Sequence, residues 1–209
     1  MTRILLADDH AIVREGLKRL LTEKLGGTVF GEAQDAKETL ALALRRPWDA
    51  VVLDLSLPGR DGLDVLKELR RKRPKTPVLI LSMHPEDQFG VRAIKAGAAA
   101  YIVKESAPDV LVDALKLAMA GRKFITAGIA ERLAEDVGGG PDRAPHENLS
   151  DREYEVLHLI AKGHTVAEIA RRLTLSVKTI STYRTRLLEK LRLKTTAQII
   201  RYAFKNGLE

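Results

Sequence analysis

The sequence predicts an α/β fold built on a doubly wound, five-stranded parallel sheet, followed by an all-α segment of four helices. Three observations carry this prediction. Over the first 120 residues, short apolar runs alternate with helical patterns. All but one of those runs are nearly continuous in apolar residues, as strands covered on both faces must be. From Leu149 onward the chain shows only helix signals.

The predicted strands are Ile4–Ala7, Thr28–Ala33, Ala50–Leu53, Val78–Ser82 and Ala100–Val103, with helices at about residues 11–24, 36–45, 61–73, 87–95 and 108–120. Asp35 is placed to cap the second helix and Pro108 suits the first turn of the fifth, while Gly97 and Gly121 follow two of them. Five strand–helix units in succession imply a parallel sheet whose functional crevice lies at the carboxyl ends of its strands. Residues 1–120 therefore read as one domain. Residues 121–147 read as a linker holding one short amphipathic helix at 122–137 and a flexible break at Gly138-Gly139-Gly140-Pro141. Residues 148–209 form the second domain. Ser150 with Glu153 and Thr165 with Glu168 match capping boxes, so helices begin near 151 and 166. Ser176 caps a third helix that runs to about Leu191. Thr195 or Thr196 starts a fourth that ends at Asn206-Gly207.

Composition narrows the chemistry. The chain has 209 residues, 45% of them hydrophobic and 30% charged, the profile of a folded protein with room for two small domains. Cysteine is absent, which excludes disulfides, thiolate nucleophiles and cysteine-based zinc sites. No apolar run approaches the roughly 20 residues that cross a bilayer. The opening Met1–His10 is too short in apolar residues, and too soon broken by acids, to act as a secretory signal; a cytoplasmic location is expected. The net charge of +7 is unevenly spread. Residues 1–120 carry 19 Lys and Arg against 17 Asp and Glu, and residues 121–148 carry 4 against 5. Residues 149–209 carry 12 against 6, so the excess lies almost wholly in the last segment and points to a polyanionic partner there.

Four strand ends hold the reactive groups. Asp8 and Asp9 end the first strand and Asp54 follows the third, so neighbouring first and third strands bring three carboxylates together. Such a cluster needs a cation, and its hard oxygen ligands favour Mg2+. Ser82 ends the fourth strand and Lys104 lies just past the fifth, adding a hydroxyl and an ammonium to the same edge. The set suits phosphoryl transfer: Asp54 as nucleophile, with Mg2+, Lys104 and Ser82 bound to the oxygens of the incoming group. Singly, each residue has a plainer reading, with Asp8-Asp9 capping the helix near His10 and Lys104 a solvated side chain. Their joint occurrence favours the pocket.

Asp8-Asp9, the run Asp54-Leu55-Ser56-Leu57-Pro58-Gly59-Arg60-Asp61-Gly62, Ser82 and Lys104 resemble the receiver domain of two-component response regulators, a flavodoxin-like fold. The resemblance implies that Asp54 accepts a phosphoryl group from a sensor histidine kinase. It also implies Mg2+ held by Asp9, Asp54 and the backbone carbonyl of Ser56, with Asp8 acting mainly through water. Tyr101 matches the aromatic switch position, and phosphorylation is expected to turn Ser82 toward the phosphate and Tyr101 inward. Serine rather than threonine at 82 keeps the hydroxyl. Ser56 and His84 stand where the family tunes the rate of phosphate loss.

In the second domain, Val177, Ile180, Leu187, Leu188 and Leu191 form an apolar stripe expected to face the core, leaving Lys178, Ser181, Thr182, Thr185 and Arg186 on a polar, basic face. Helix, short turn Thr174-Leu175 and helix in this order match a helix-turn-helix, and such a face suits a major groove; a merely solvated face is the plainer alternative. Leu149–Leu157, Gly163, Glu168-Ile169-Ala170, Leu173 and Ser176–Ile180 resemble the LuxR-type DNA-binding domain, and with the receiver they resemble the NarL/FixJ class. This implies Ser181, Thr182 and Thr185 at bases, Lys178, Arg184 and Arg186 at the DNA backbone, and dimerisation through the fourth helix. Val166 and Ala167 replace the family's usual asparagine and lysine, and Ser181 and Tyr183 replace lysine and histidine, so the target sequence does not follow from relatives.

The expected function is a DNA-binding transcriptional regulator activated by aspartate phosphorylation. It is expected not to be a turnover enzyme, with catalysis limited to its own phosphorylation and dephosphorylation. Its expected partners are a sensor histidine kinase, double-stranded DNA and RNA polymerase, with homodimerisation when phosphorylated and no membrane partner. Two alternatives stand beside it. One is a DNA-binding regulator whose receiver is vestigial. The other is a metal-dependent aspartyl-phosphate phosphatase, whose nucleophile usually lies on the first strand in an Asp-x-Asp pattern, where this chain has Asp8-Asp9-His10.

Overall fold

All five strands of the first unit run parallel. In the computed structural model, which describes residues 1–58, 60–138 and 144–208, they are β1 (Thr2–Ala7), β2 (Thr28–Ala33), β3 (Ala50–Asp54), β4 (Val78–Ser82) and β5 (Ala100–Val103). Their order in the sheet is β2-β1-β3-β4-β5. Helices α1 (Ala11–Leu25), α2 (Ala36–Arg45), α3 (Gly62–Lys72), α4 (Glu86–Lys95) and α5 (Ala107–Met119) alternate with them. Ile4, Leu6, Val52, Leu79, Leu81 and Ile102 bury one face of the sheet against Leu17 and Leu21 of α1 and Leu111 and Leu115 of α5. Each such side chain contributes about 1.5–3 kcal/mol on leaving water. The strand order reverses at β1, so β1 and β3 are neighbours and their carboxyl tips meet. There the open crevice of a doubly wound sheet forms. β3 runs one residue past its predicted end, through Asp54, which pairs in register with Leu81.

Two compact units divide the chain, Met1–Val137 and Gly138–Glu209. The first therefore reaches beyond the boundary expected at 120. The reason is α6 (Ala127–Gly138), expected as a helix within a linker, which instead docks on α4. Thr126 Oγ1 donates to Glu86 Oε2 at 2.8 Å, and Arg132 donates to the Asp87 carbonyl at 2.6 Å. Ile129 is 1% exposed, seated over Gly90. A Cβ at Gly90 would stand 2.7 Å from Ile129 Cδ1, so the missing side chain admits the helix. Of the predicted flexible break, Gly138 ends α6, and Gly139, Gly140 and Pro141 lie outside the described residues.

The second unit packs α7 (Asp151–Ala161), α8 (Val166–Arg172), α9 (Val177–Lys190) and α10 (Thr196–Lys205), preceded by a short 3-10 turn at Pro145–Asn148. Full capping boxes start α7 at Ser150/Glu153, α8 at Thr165/Glu168 and α10 at Thr195/Gln198. Ser176 accepts from the Thr179 amide to start α9. Glu153 is buried, and its pKa is held below the usual carboxylate range. Burial works against this, but the Lys190 ammonium at 2.6 Å and the Ser150 amide outweigh it. Ile180, Leu187 and Leu191 face the core as expected. Val177 does not: it is 53% exposed, in the first turn of α9. Among the described residues no helix is long and apolar enough to cross a membrane.

Candidate functional site

Asp8, Asp54 and Lys104 meet at the carboxyl edge of the sheet. Asp8 and Asp54 are each 2% exposed. Lys104 Nζ stands 2.7 Å from Asp8 Oδ2 and 2.8 Å from Asp54 Oδ2. The Ser56 amide donates to Asp54 Oδ1 at 3.0 Å, so both oxygens of that carboxylate are held. Burial pushes the Asp54 carboxyl above its ordinary range, with the Asp8 charge adding to it, while Lys104 and the Ser56 amide act against the rise. Burial also opposes the Lys104 charge, but Asp54 and Asp8 together outweigh it and raise the ammonium above its usual range.

The loop after Asp54 is fixed by the residues that follow it. Asp61 caps α3 by accepting from the Leu63 amide at 2.8 Å. The Gly62 amide donates to the Leu55 carbonyl, and a Cβ at Gly62 would lie 2.5 Å from Leu55 Cα. Only glycine lets the helix start this close under the backbone of Asp54 and Leu55. Gly59 of the same run lies outside the described residues.

Asp9 is more exposed than Asp8, and one oxygen or nitrogen each from Asp8, Asp9, His10 and Asp54 lie within 4.8 Å of one another. Three carboxylates against one ammonium leave a formal charge of −2, which one divalent cation cancels. The buried oxygens of Asp8 and Asp54 are the hard donors such an ion prefers. The residues fit a divalent metal.

Ser82, fully buried at the tip of β4, accepts from the His84 amide at 3.1 Å. Tyr101 is already interior at 1% exposure, and its hydroxyl donates to the His84 carbonyl at 2.9 Å. Burial pushes its phenol pKa up. Ser82 and Tyr101 thus grip the same loop between β4 and α4, and that loop leads into Glu86 and Asp87, which hold α6.

Sequence reasoning does not reach Arg14, because a lone basic residue on an amphipathic helix carries no signal. The guanidinium is 8% exposed, donates to the Asp8 carbonyl at 2.7 Å and to Glu32 Oε2 at 2.9 Å. Glu32, paired with Lys18 and Arg14, has its pKa lowered by both. Arg14 anchors the backbone that carries the acid pair.

On α9, Lys178, Ser181, Thr182, Thr185 and Arg186 are all exposed and recur at helical spacing on one face. Thr182 and Thr185 donate their hydroxyl protons to the carbonyls of Lys178 and Ser181, which leaves their oxygens to accept. Arg184 stands apart: half-buried, its Nε donates to Thr196 Oγ1 at 2.8 Å. The turn between α8 and α9 places Thr174 at a φ of 53°, a left-handed backbone.

Two family models match the chain: the response regulator receiver domain over residues 4–116, and the bacterial regulatory proteins of the luxR family over residues 147–203. The chain belongs to the response-regulator family. Within it, this response regulator is of the NarL/FixJ class, a DNA-binding transcription regulator that phosphorylation activates. It is 32% identical to the response regulator UvrY of Escherichia coli K12 over 209 residues, covering all of this chain and 96% of UvrY. It is 34% identical to the response regulator GacA of Pseudomonas aeruginosa, covering all of this chain and 98% of GacA. Among solved structures it is similar to RcsB of Salmonella enterica serovar Typhimurium bound to promoter rprA in the presence of phosphomimetic BeF3-. The TM-score is 0.61 at 28% identity, over 97% of this chain and 98% of that one.

Proposed function

We propose that Asp54 is the phosphoacceptor of this response regulator. One observation carries the reading: a buried carboxylate at the tip of a central strand, held between Lys104 Nζ and the Ser56 amide beside two further acids. An Asp54 oxygen attacks the phosphorus of a kinase phosphohistidine. A P–O bond forms, the P–N bond breaks, and the released imidazole takes a proton. Lys104 and Ser82 then bind the phosphoryl oxygens, for which each strand tip has set a donor in place. Asp9, Asp54 and the Ser56 carbonyl would hold a Mg2+ ion, with Asp8 acting through water, and the ion would supply charge neutralisation to the transferred group. With a small phosphodonor the same residues support self-phosphorylation. Attack by water on the acyl phosphate returns phosphate and the free carboxylate.

Movement of Ser82 toward the phosphoryl group draws on the loop that Tyr101 also holds. Because Glu86 and Asp87 continue that loop and bind α6, the change reaches the helix preceding the second domain. Double-stranded DNA is read by Ser181, Thr182 and Thr185, with Lys178 and Arg186 at the phosphates. Arg184 braces α9 against α10 instead. RcsB, captured on a promoter with a phosphomimetic, supports DNA binding by the phosphorylated form. Homodimerisation would pair two weak half-site contacts and raise affinity steeply. A histidine kinase supplies the phosphoryl group, and RNA polymerase is the downstream partner.

The test is labelling of the full chain by acetyl phosphate in Mg2+, followed by peptide mapping. The label is expected on Asp54 and absent from Asp54→Ala. A label retained by that variant would assign the acceptor elsewhere.

A further inference from the structure

We infer that Val177 reads the C5-methyl group of a thymine in the target duplex, which makes it a specificity-determining residue of α9. The inference rests on the proposal that the exposed face of this helix meets DNA in the major groove.

The apolar stripe of α9 predicts a core position for Val177, yet its side chain is 53% exposed while Ile180, Leu187 and Leu191 are buried. Among the described residues of the second unit, Val177 and Phe204 are the large apolar side chains left in solvent, and Phe204 belongs to α10. At about 100° per residue, Val177 stands about 40° from Ser181 around the helix axis and one turn before it, with Lys178 on the other side of Ser181. Ser176 fixes that first turn, because its Oγ accepts from the Thr179 amide at 3.0 Å. Val177 thus borders the polar face at its amino-terminal end, the part of such a helix that reaches base edges.

The neighbouring groups leave a gap in the readout that an apolar side chain fills. Serine and threonine hydroxyls pair with several bases alike, so by themselves they discriminate poorly. Here Thr182 and Thr185 donate their protons to the carbonyls of Lys178 and Ser181, each at 3.0 Å, and their oxygens are left to accept. In the major groove an acceptor suits the amino group of adenine or of cytosine. Adenine's partner carries a methyl group and cytosine's does not. A valine beside these acceptors therefore tips the choice toward A·T pairs, since covering the thymine methyl takes both apolar groups out of water.

Duplexes selected from a random pool by the full chain, then remade with each thymine in turn replaced by uracil, test this, because uracil lacks only the methyl group. At one thymine of the site, uracil should weaken the wild type about threefold to fivefold, the scale of one methyl group withdrawn from an apolar contact. Val177→Ala should bind the thymine duplex more weakly and lose the preference at that position, binding the two duplexes within about 1.5-fold of each other. Wild-type binding indifferent to every replacement, or an equal preference retained by Val177→Ala, would overturn the inference and leave the DNA-reading face standing. Selection of no sequence by the wild type, or of the same sequence by a Ser181→Ala, Thr185→Ala double variant, would overturn the reading of that face and this inference together.

Discussion

Ile129 Cδ1 occupies the space in which a side chain at Gly90 would sit. The contact locks α6 to α4, and it makes a helix that follows the sheet part of the first unit. Gly90→Ala should therefore push Ile129 out and cost about 1–3 kcal/mol, as overpacking does. Ile129→Ala alone should cost about 2–4 kcal/mol. The double variant should cost less than the sum, since the smaller side chain makes room for the methyl group. Urea unfolding of the four proteins measures the coupling, and amide exchange of Ala127–Ala134 should accelerate in Gly90→Ala. Additive losses would show that the two residues do not share the space.

Asp54→Asn should stabilise the first unit. The folded carboxyl has its pKa raised, so between its ordinary value and the raised one the native state holds a proton the unfolded chain has lost. Stability therefore falls as pH rises through that window, and the loss persists at neutral pH. Removing the charge should recover about 1 kcal/mol, or about 2–4 °C in the melting temperature. The difference should narrow as pH drops below the ordinary carboxylate range, where both states are protonated. Calorimetry at several pH values checks the sign.

Much of this pocket was legible in the sequence, because strand ends in a parallel sheet are fixed by short apolar runs. Asp8, Asp9, Asp54, Ser82 and Lys104 all lie at or just past the end of such a run, and the structure brings Lys104 into direct contact with both Asp8 and Asp54. Arg14 and the place of α6 were not legible. Arg14 sits on a helix face whose partner lies 18 residues away at Glu32, and nothing local marks that pairing. The docking of α6 depends on the absence of an atom at Gly90, and absence has no periodicity. Val177 was misplaced for the opposite reason: its spacing fits the stripe, but a helix's first turn can extend beyond the core it serves.

Thr174→Gly should stabilise the second unit. A β-branched residue in the left-handed region costs about 1–2 kcal/mol, and glycine adopts that backbone freely. Part of the gain is offset by the greater freedom of glycine in the unfolded chain, which leaves roughly 0.5–1 kcal/mol. DNA affinity should not change, as Thr174 lies in the turn before α9. Thermal unfolding of the variant measures the gain, and no gain would mean that the turn is unstrained.

Lys178→Ala and Arg184→Ala should part company. The first removes a cation from the exposed face of α9 that is proposed to meet DNA. Affinity should fall on all DNA sequences, and the dependence of log affinity on log salt should flatten by about 1. The second removes the bond to Thr196, so about 1 kcal/mol of stability should go while the salt slope stays near that of the wild type. Fluorescence anisotropy across a salt series, paired with a melting curve, tells the two roles apart. Equal slopes for both variants would return Arg184 to the DNA.

The strand order β2-β1-β3-β4-β5 has a bearing on synthesis. The acids come early in the chain, but the ammonium that binds them sits at position 104, just past the edge strand made last. A nascent chain that has emerged only through β4 has its carboxylates and no Lys104 to steady them. The ion pairs that Lys104 makes with Asp8 and Asp54 can therefore form only after every strand of the sheet has been made.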